Sequence, residues 1–249
     1  MKPYLDSLLA ECGLDENNPD PLLIARDLPD DAALICALFA YGNVKAMIAF
    51  LRSLDFSLLD CDENAIKGKL VDRYYRFQSV EDTQNVFIAF AKMRRDNVTL
   101  ERLFTEAYQK NGFLSALSNM IAILKSYAKA RTFGLNFLFS KPFDHRNPKG
   151  ASALKRYLMF LRWMVRDGFP DLGRWRGVKT CDLLIPLDTH SFAQAGKLGL
   201  LKRKSADLLA SIELTQKLKE FDPDDPVKYD FALYRLGQNG AKRQKSAAS

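Results

Sequence analysis

One amine and one carboxylate in this sequence are placed where each could do chemistry. Lys155 lies in the run Asn147-Pro148-Lys149-Gly150-Ala151-Ser152-Ala153-Leu154-Lys155-Arg156, and Asp188 in Ile185-Pro186-Leu187-Asp188-Thr189-His190. Asp188 stands where an apolar segment turns into a run with helical spacing, Ser191 to Leu200, interrupted only weakly at Gly196. That is an N-cap, where a carboxylate accepts backbone N–H groups and feels the positive end of the helix dipole. A group held so is fixed in direction, stays ionised near neutral pH and can face a developing positive charge. Lys155 has apolar neighbours in Leu154, Tyr157 and Leu158 and cations in Lys149 and Arg156. Such surroundings favour the neutral, nucleophilic form of an amine. Together, an amine and a carboxylate at two helix starts suit attack on an electrophilic sugar carbon: the amine adds to C1′ of a nucleotide, the carboxylate supports oxocarbenium character, and the base departs. Taken singly, Lys155 reads equally as a surface lysine on an amphipathic helix and Asp188 as a structural cap.

The elements that must position the pair are helical almost throughout. Pro3 to Cys12 carries Leu5, Leu8 and Leu9 on one face. Ala32 to Tyr41, capped by Asp30 or Asp31, is apolar enough to be a core helix. Gly42-Asn43 breaks it before Val44 to Leu54. Further helices are expected at 64–72, 81–95, 99–110, 113–129, 188–199, 204–220 and 226–236, and the strongest at Ser152 to Val165. No β-branched run alternates with period two, so an all-α fold without a sheet is expected. The turn Pro148 to Gly150 precedes the Lys155 helix, and exposed N–H groups at such a start can meet phosphate, with Lys149, Gly150 and Arg156 alongside.

Composition narrows the partners. Hydrophobic residues make up 47% of the 249, ample for a packed core. Four scattered cysteines, no CxxC pair and only two histidines give no zinc pattern and read as reduced thiols, so neither metal nor cofactor is expected. No window is long and apolar enough to span a membrane, and the N-terminus lacks a signal pattern, which points to a cytoplasmic protein. Charge is uneven: residues 1–120 carry 13 Lys+Arg against 18 Asp+Glu, and residues 121–249 carry 24 against 12. A basic half suits a polyanion, and a lysine-rich solvated surface gives the same count. Lys202-Arg203-Lys204, at an expected helix start, is a candidate backbone-phosphate contact. Arg73-Tyr74-Tyr75-Arg76-Phe77 mixes cations with rings, as nucleic-acid grooves do and as ordinary packing does.

The segment Pro186-Leu187-Asp188-Thr189-His190 resembles the Pro/Val-Asp-Thr-His segment of helix-hairpin-helix DNA glycosylases, the endonuclease III superfamily. The Pro148–Gly150 turn followed by Lys155 resembles that superfamily's hairpin and lysine-bearing helix, although the usual Leu-Pro-Gly-Val-Gly turn is missing. The long Lys-to-Asp interval is similar to the archaeal 8-oxoguanine glycosylase subfamily. The chain from 19 to 237 resembles an uncharacterised bacterial family of this superfamily, in Ala40-Tyr41-Gly42, Gly68 to Phe77, Ser152 to Arg166, Ile185 to His190, Lys202 to Asp207 and Phe221 to Gly237.

The resemblance implies two helical lobes with a helix-hairpin-helix-like element and a DNA- and base-binding cleft between them. It implies one glycosylase-like domain over residues 1–239; the tail at 240–249, basic and rich in small residues, is expected to be disordered. Lys155 would be the Schiff-base nucleophile and Asp188 the catalytic carboxylate. Asp230 and Tyr234, at i,i+4 on one helix face, would read and stack a flipped purine; as ordinary residues they would be a surface charge and a core ring. Tyr41 and Asn43 fall where the superfamily fills the gap left by the flipped nucleotide, or simply at a buried helix break. No cysteine follows Cys181, so no iron–sulfur cluster is expected. The implied activity is a monomeric bifunctional DNA glycosylase/AP lyase acting on double-stranded DNA with a damaged base, 8-oxoguanine first. Its rivals are a glycosylase for another damaged base, a non-catalytic DNA-binding module of the same fold, and an all-helical scaffold for protein partners.

Overall fold

The computed structural model describes residues 1–10 and 20–246, with side chains described through Gly237. These residues form twelve α-helices: α1 Lys2–Ala10, α2 Leu22–Ala25, α3 Asp30–Leu38, α4 Val44–Arg52, α5 Glu63–Lys69, α6 Val80–Arg95, α7 Leu100–Tyr127, α8 Phe133–Phe139, α9 Lys155–Val165, α10 Thr189–Lys197, α11 Leu208–Lys219 and α12 Tyr229–Ser246. The fold is all-α. Among the described residues there is no strand, only isolated bridges at Tyr75–Gln78 and Ser152–Asp207, and no helix is long and apolar enough to cross a membrane.

The chain divides into two compact units, Asp15–Asn147 and a discontinuous one made of Met1–Leu14 with Pro148–Ser249. In the first, α3 is the central element because every residue from Ala32 to Leu38 is apolar and fully buried. Each large aliphatic side chain so buried contributes roughly 1.5–3 kcal/mol. The cap of α3 is Pro29 rather than Asp30 or Asp31. Asp31 instead accepts from the Arg94 guanidinium at 2.5 and 2.9 Å, tying α3 to α6. A capping box closes the start of α6: Asp82 N–H donates to Ser79 Oγ and Ser79 N–H to Asp82 Oδ2, at 3.1 and 2.9 Å. The expected separation of 99–110 from 113–129 appears inside α7, where Gly112 takes φ 78°, ψ 179° and interrupts the helical backbone. Tyr41-Gly42-Asn43 is the connection between α3 and α4, since α3 ends at Leu38.

In the discontinuous unit, α9 is buried from Tyr157 to Val165, including Arg162. α12 packs against both α1 and α10, and Tyr229 on α12 donates to Asp6 on α1 at 3.0 Å. No helix precedes the Pro148–Gly150 turn closely: residues 140–154 are non-helical, because Pro142 and Pro148 cannot continue a helix. The helical backbone of α12 also runs on to Ser246, well past Gly240, where the small-residue composition suggested a disordered tail; residues 247–249 lie outside the described ones.

Candidate active site

Lys155 is the first residue of α9, not a residue within a helix that starts at Ser152. Ser152 is drawn into a bridge with Asp207, and Leu208 N–H donates to the Ala151 carbonyl at 3.2 Å. Leu154 then turns the chain through the left-handed region (φ 50°, ψ 29°) while its side chain stays buried. A non-glycine residue there costs free energy, about 1 kcal/mol or more, and persists because its surroundings impose it. The result aims the Lys155 side chain from the exposed end of a helix whose remaining turns are core.

Asp188 caps α10 as its position predicted. Its Oδ1 accepts from Ser191 N–H at 2.8 Å and from Ser191 Oγ at 3.1 Å. Its other oxygen, Oδ2, is 3.2 Å from Lys155 Nζ. The two helix starts are thus joined by a single ion pair, with the carboxylate 12% and the lysine side chain 34% exposed. Burial alone would push the Asp188 carboxyl up; the Lys155 charge and the Ser191 donors outweigh it and hold the group below the usual aspartate value. The lysine can be reached from solvent, and the carboxylate beside it stays ionised.

Two further side chains complete this surrounding. Tyr234 offers its ring to Lys155, Nζ lying 5.9 Å from the centroid, and packs edge-on against His190 at 6.0 Å. His190 in turn approaches α12 where Gly237 leaves room: a Cβ at 237 would lie 2.7 Å from that of His190. Asp230, one turn before Tyr234, is 8% exposed and accepts from Arg162 Nη1 on α9. It is therefore no surface charge, and one of its oxygens is already engaged. Burial pushes its carboxyl up to about 7, with Asp188 and Asp171 adding to the effect and Arg162 and Lys155 opposing it. Asp230 thus feels both members of the Lys155–Asp188 pair.

Arg162 is the buried residue beside this site that spacing did not pick out. It links Asp230 to Asp171 (Nε to Oδ1, 3.1 Å), and Asp171 continues to Arg166, which holds Asp225. Its signal in the sequence was a guanidinium in the middle of an otherwise apolar helix, which burial permits only with paired acids.

The remaining candidates are dispersed. Lys149 and Gly150 are exposed at the Pro148–Ala151 turn, where Gly150 takes φ +82°. Arg156 is half-buried beside Lys155. Lys202, Arg203 and Lys204 precede α11 instead of starting it, because Asp207 takes the cap by accepting from Ala210 N–H at 2.9 Å. Arg203 is bound to that same Asp207 at 2.7 Å, leaving Lys202 and Lys204 as the exposed cations of the trio. Tyr41 and Asn43 belong to the Asp15–Asn147 unit. Asn43 caps α4 by accepting from Ala46 N–H at 3.1 Å, and Tyr41 packs in an aromatic group with Tyr75, Phe77 and Phe137.

Among the described residues, Cys36, Cys61 and Cys181 are free thiols and no His, Cys, Asp or Glu group is arranged to hold a metal ion. No curated protein and no solved structure matches the chain. A family model described as "Protein of unknown function (DUF2400)" matches residues 20–239. That span contains Lys155, Asp188, Asp230 and Tyr234, and the chain belongs to this family.

Proposed function

We propose that this protein is a bifunctional DNA glycosylase with AP-lyase activity that removes an oxidised base, 8-oxoguanine foremost, from double-stranded DNA. The observation that carries the reading is the 3.2 Å approach of Lys155 Nζ to Asp188 Oδ2 at two helix starts. The Lys155 ammonium gives up its proton to solvent while Asp188 stays ionised, and the free amine attacks C1′ as the C1′–N bond to the base breaks. The base leaves with a proton from solvent. While positive charge grows on the sugar, the carboxylate lies beside it. Loss of a proton and ring opening give an imine between Nζ and C1′. Removal of a C2′ proton then expels the 3′ phosphate by β-elimination, and water releases the lysine.

The test is reduction of that imine. Borohydride added to the protein and an 8-oxoguanine duplex should give a covalent protein–DNA adduct, and Lys155→Gln should abolish both adduct and strand cleavage. Failure to trap any adduct across a panel of oxidised and alkylated duplexes, under conditions where a control lyase is trapped, overturns the proposal.

One observation favours a second reading. Lys155 and Asp188 satisfy one another, as a purely structural ion pair would. A non-catalytic DNA-binding module of the same fold would bind duplexes with a steep salt dependence and leave every lesion intact.

A further inference from the structure

The Asp15–Asn147 unit carries a second concentration of charge that the chemistry above does not use. The end of α7, the connection after it and α8 enclose a cavity of about 280 Å³, lined by Lys125, Arg131, Asn136, Leu135, Phe139 and Pro142 among others. No acidic residue lines it. Lys125 donates to Asn136 Oδ1 at 3.0 Å, and Asn136 is itself held by donating to the Thr132 carbonyl at 2.9 Å. Among the described residues, the one side-chain bond recorded for Lys125 is this neutral one, and neither Lys125 nor Arg131 makes an ion pair. Burial, then the charges of Lys141 and Arg131, push the Lys125 ammonium below the usual lysine range. Lys125 and Arg131 line this concave surface and, with Lys141 adding its charge to Lys125, have no ion-pair partner among the described residues, so an anion would relieve them.

A neighbouring ring says which anion. Phe133, two residues beyond Arg131, opens α8 and is 76% exposed. Its ring centroid is 5.6 Å from that of Phe77, itself 45% exposed, and Phe77 is 4.9 Å from Phe137. Two residues span at most about 7 Å of chain, so cationic hollow and bare ring are within a nucleotide's reach of each other. Rings beside a groove that neutralises phosphate are how proteins hold unpaired strands, the base stacking while the backbone is held by charge.

We propose that the Lys125–Arg131–Asn136 hollow binds a phosphate of an unpaired nucleic-acid strand, whose adjacent base stacks on Phe133. The site involves neither Lys155 nor Asp188 and needs no lesion, so it stands or falls apart from the glycosylase reading.

The experiment follows fluorescence anisotropy of a labelled oligothymidylate of about 16 nucleotides with the full-length protein over a range of salt. Two competitors separate the sources of phosphate: an abasic phosphodiester chain of equal length and inorganic phosphate. Lys125→Gln with Arg131→Gln should weaken binding of both chains about tenfold or more and reduce the salt slope by up to about two. Phe133→Ala should weaken the oligothymidylate about tenfold and leave the abasic chain unchanged. Arg131 and Phe133 are exposed, so Arg131→Gln and Phe133→Ala serve if the double variant loses its native circular dichroism. Unchanged affinity and slope in natively folded variants overturn the site. Displacement of the oligothymidylate by inorganic phosphate at concentrations near that of the protein overturns the strand assignment in favour of a free-phosphate site.

Discussion

An asparagine at position 188 separates two duties that one side chain performs. Asn caps helices about as well as Asp, so Asp188→Asn keeps the acceptor for Ser191 N–H and removes the charge that faces Lys155. Its thermal midpoint should stay within a few degrees of the parent, while trapping and cleavage slow by two orders of magnitude or more. Asp188→Ala loses the cap as well and should cost about a further 1 kcal/mol in denaturant unfolding. An Asp188→Asn protein that cleaves at the parental rate removes the carboxylate from the mechanism. Both residues were legible in the sequence for the same reason: each lies where a non-helical run meets a helix, and the residue types at such junctions are few. What could not be read was that Oδ2 turns to Lys155 while Oδ1 serves the cap, because that depends on how α9 and α10 pack.

At the level of elements, the helices with clear periodicity or sharp local punctuation were readable, and the starts set by competing partners were not. α4, α6 and the two segments of α7 fall close to their expected limits because Asn43, Ser79 and Gly112 mark them locally. α9 begins three residues late since Ser152 is claimed by Asp207, a partner far along the chain. α11 begins late for the complementary reason: the Lys202–Lys204 run looked like a helix start, and the nearby aspartate took the cap. Arg162 and Asp230 were opaque as a pair, because nothing local announces a contact between α9 and α12. The packing of α10 on α12 supplies a test. Ala at 237 gains about 1 kcal/mol of helix propensity, yet its Cβ would meet that of His190 at 2.7 Å, an overpacking that costs typically 1–3 kcal/mol. Gly237→Ala should therefore lower the melting temperature; a rise would show that the two helices are not in close contact there.

At the level of the whole molecule, the buried acids and bases make stability depend on pH in a definite direction. The folded Asp230 carboxyl sits at about 7, above its ordinary value of 3.8. The native state thus holds a proton that the unfolded chain releases, and stability from this group falls as pH rises from about 4 to about 7. Between pH 5 and pH 7.5 the parent should lose more of its melting temperature than Asp230→Asn does; parallel curves would place the Asp230 titration elsewhere. The chain's connectivity bears on how it is made. α1 packs on α12, so the unit that carries Lys155 and Asp188 needs two helices that lie more than two hundred residues apart. Residues 15–147 are contiguous and can acquire their structure while the ribosome is still at work, at about 5–20 residues per second. The unit that holds Lys155 and Asp188 must wait until α12 has emerged, with α1 idle until then. A nascent chain arrested shortly before residue 229 should accordingly protect the 15–147 segment from protease and leave the flanking segments open to cutting, so the amine and its carboxylate would meet only after α12 has been made.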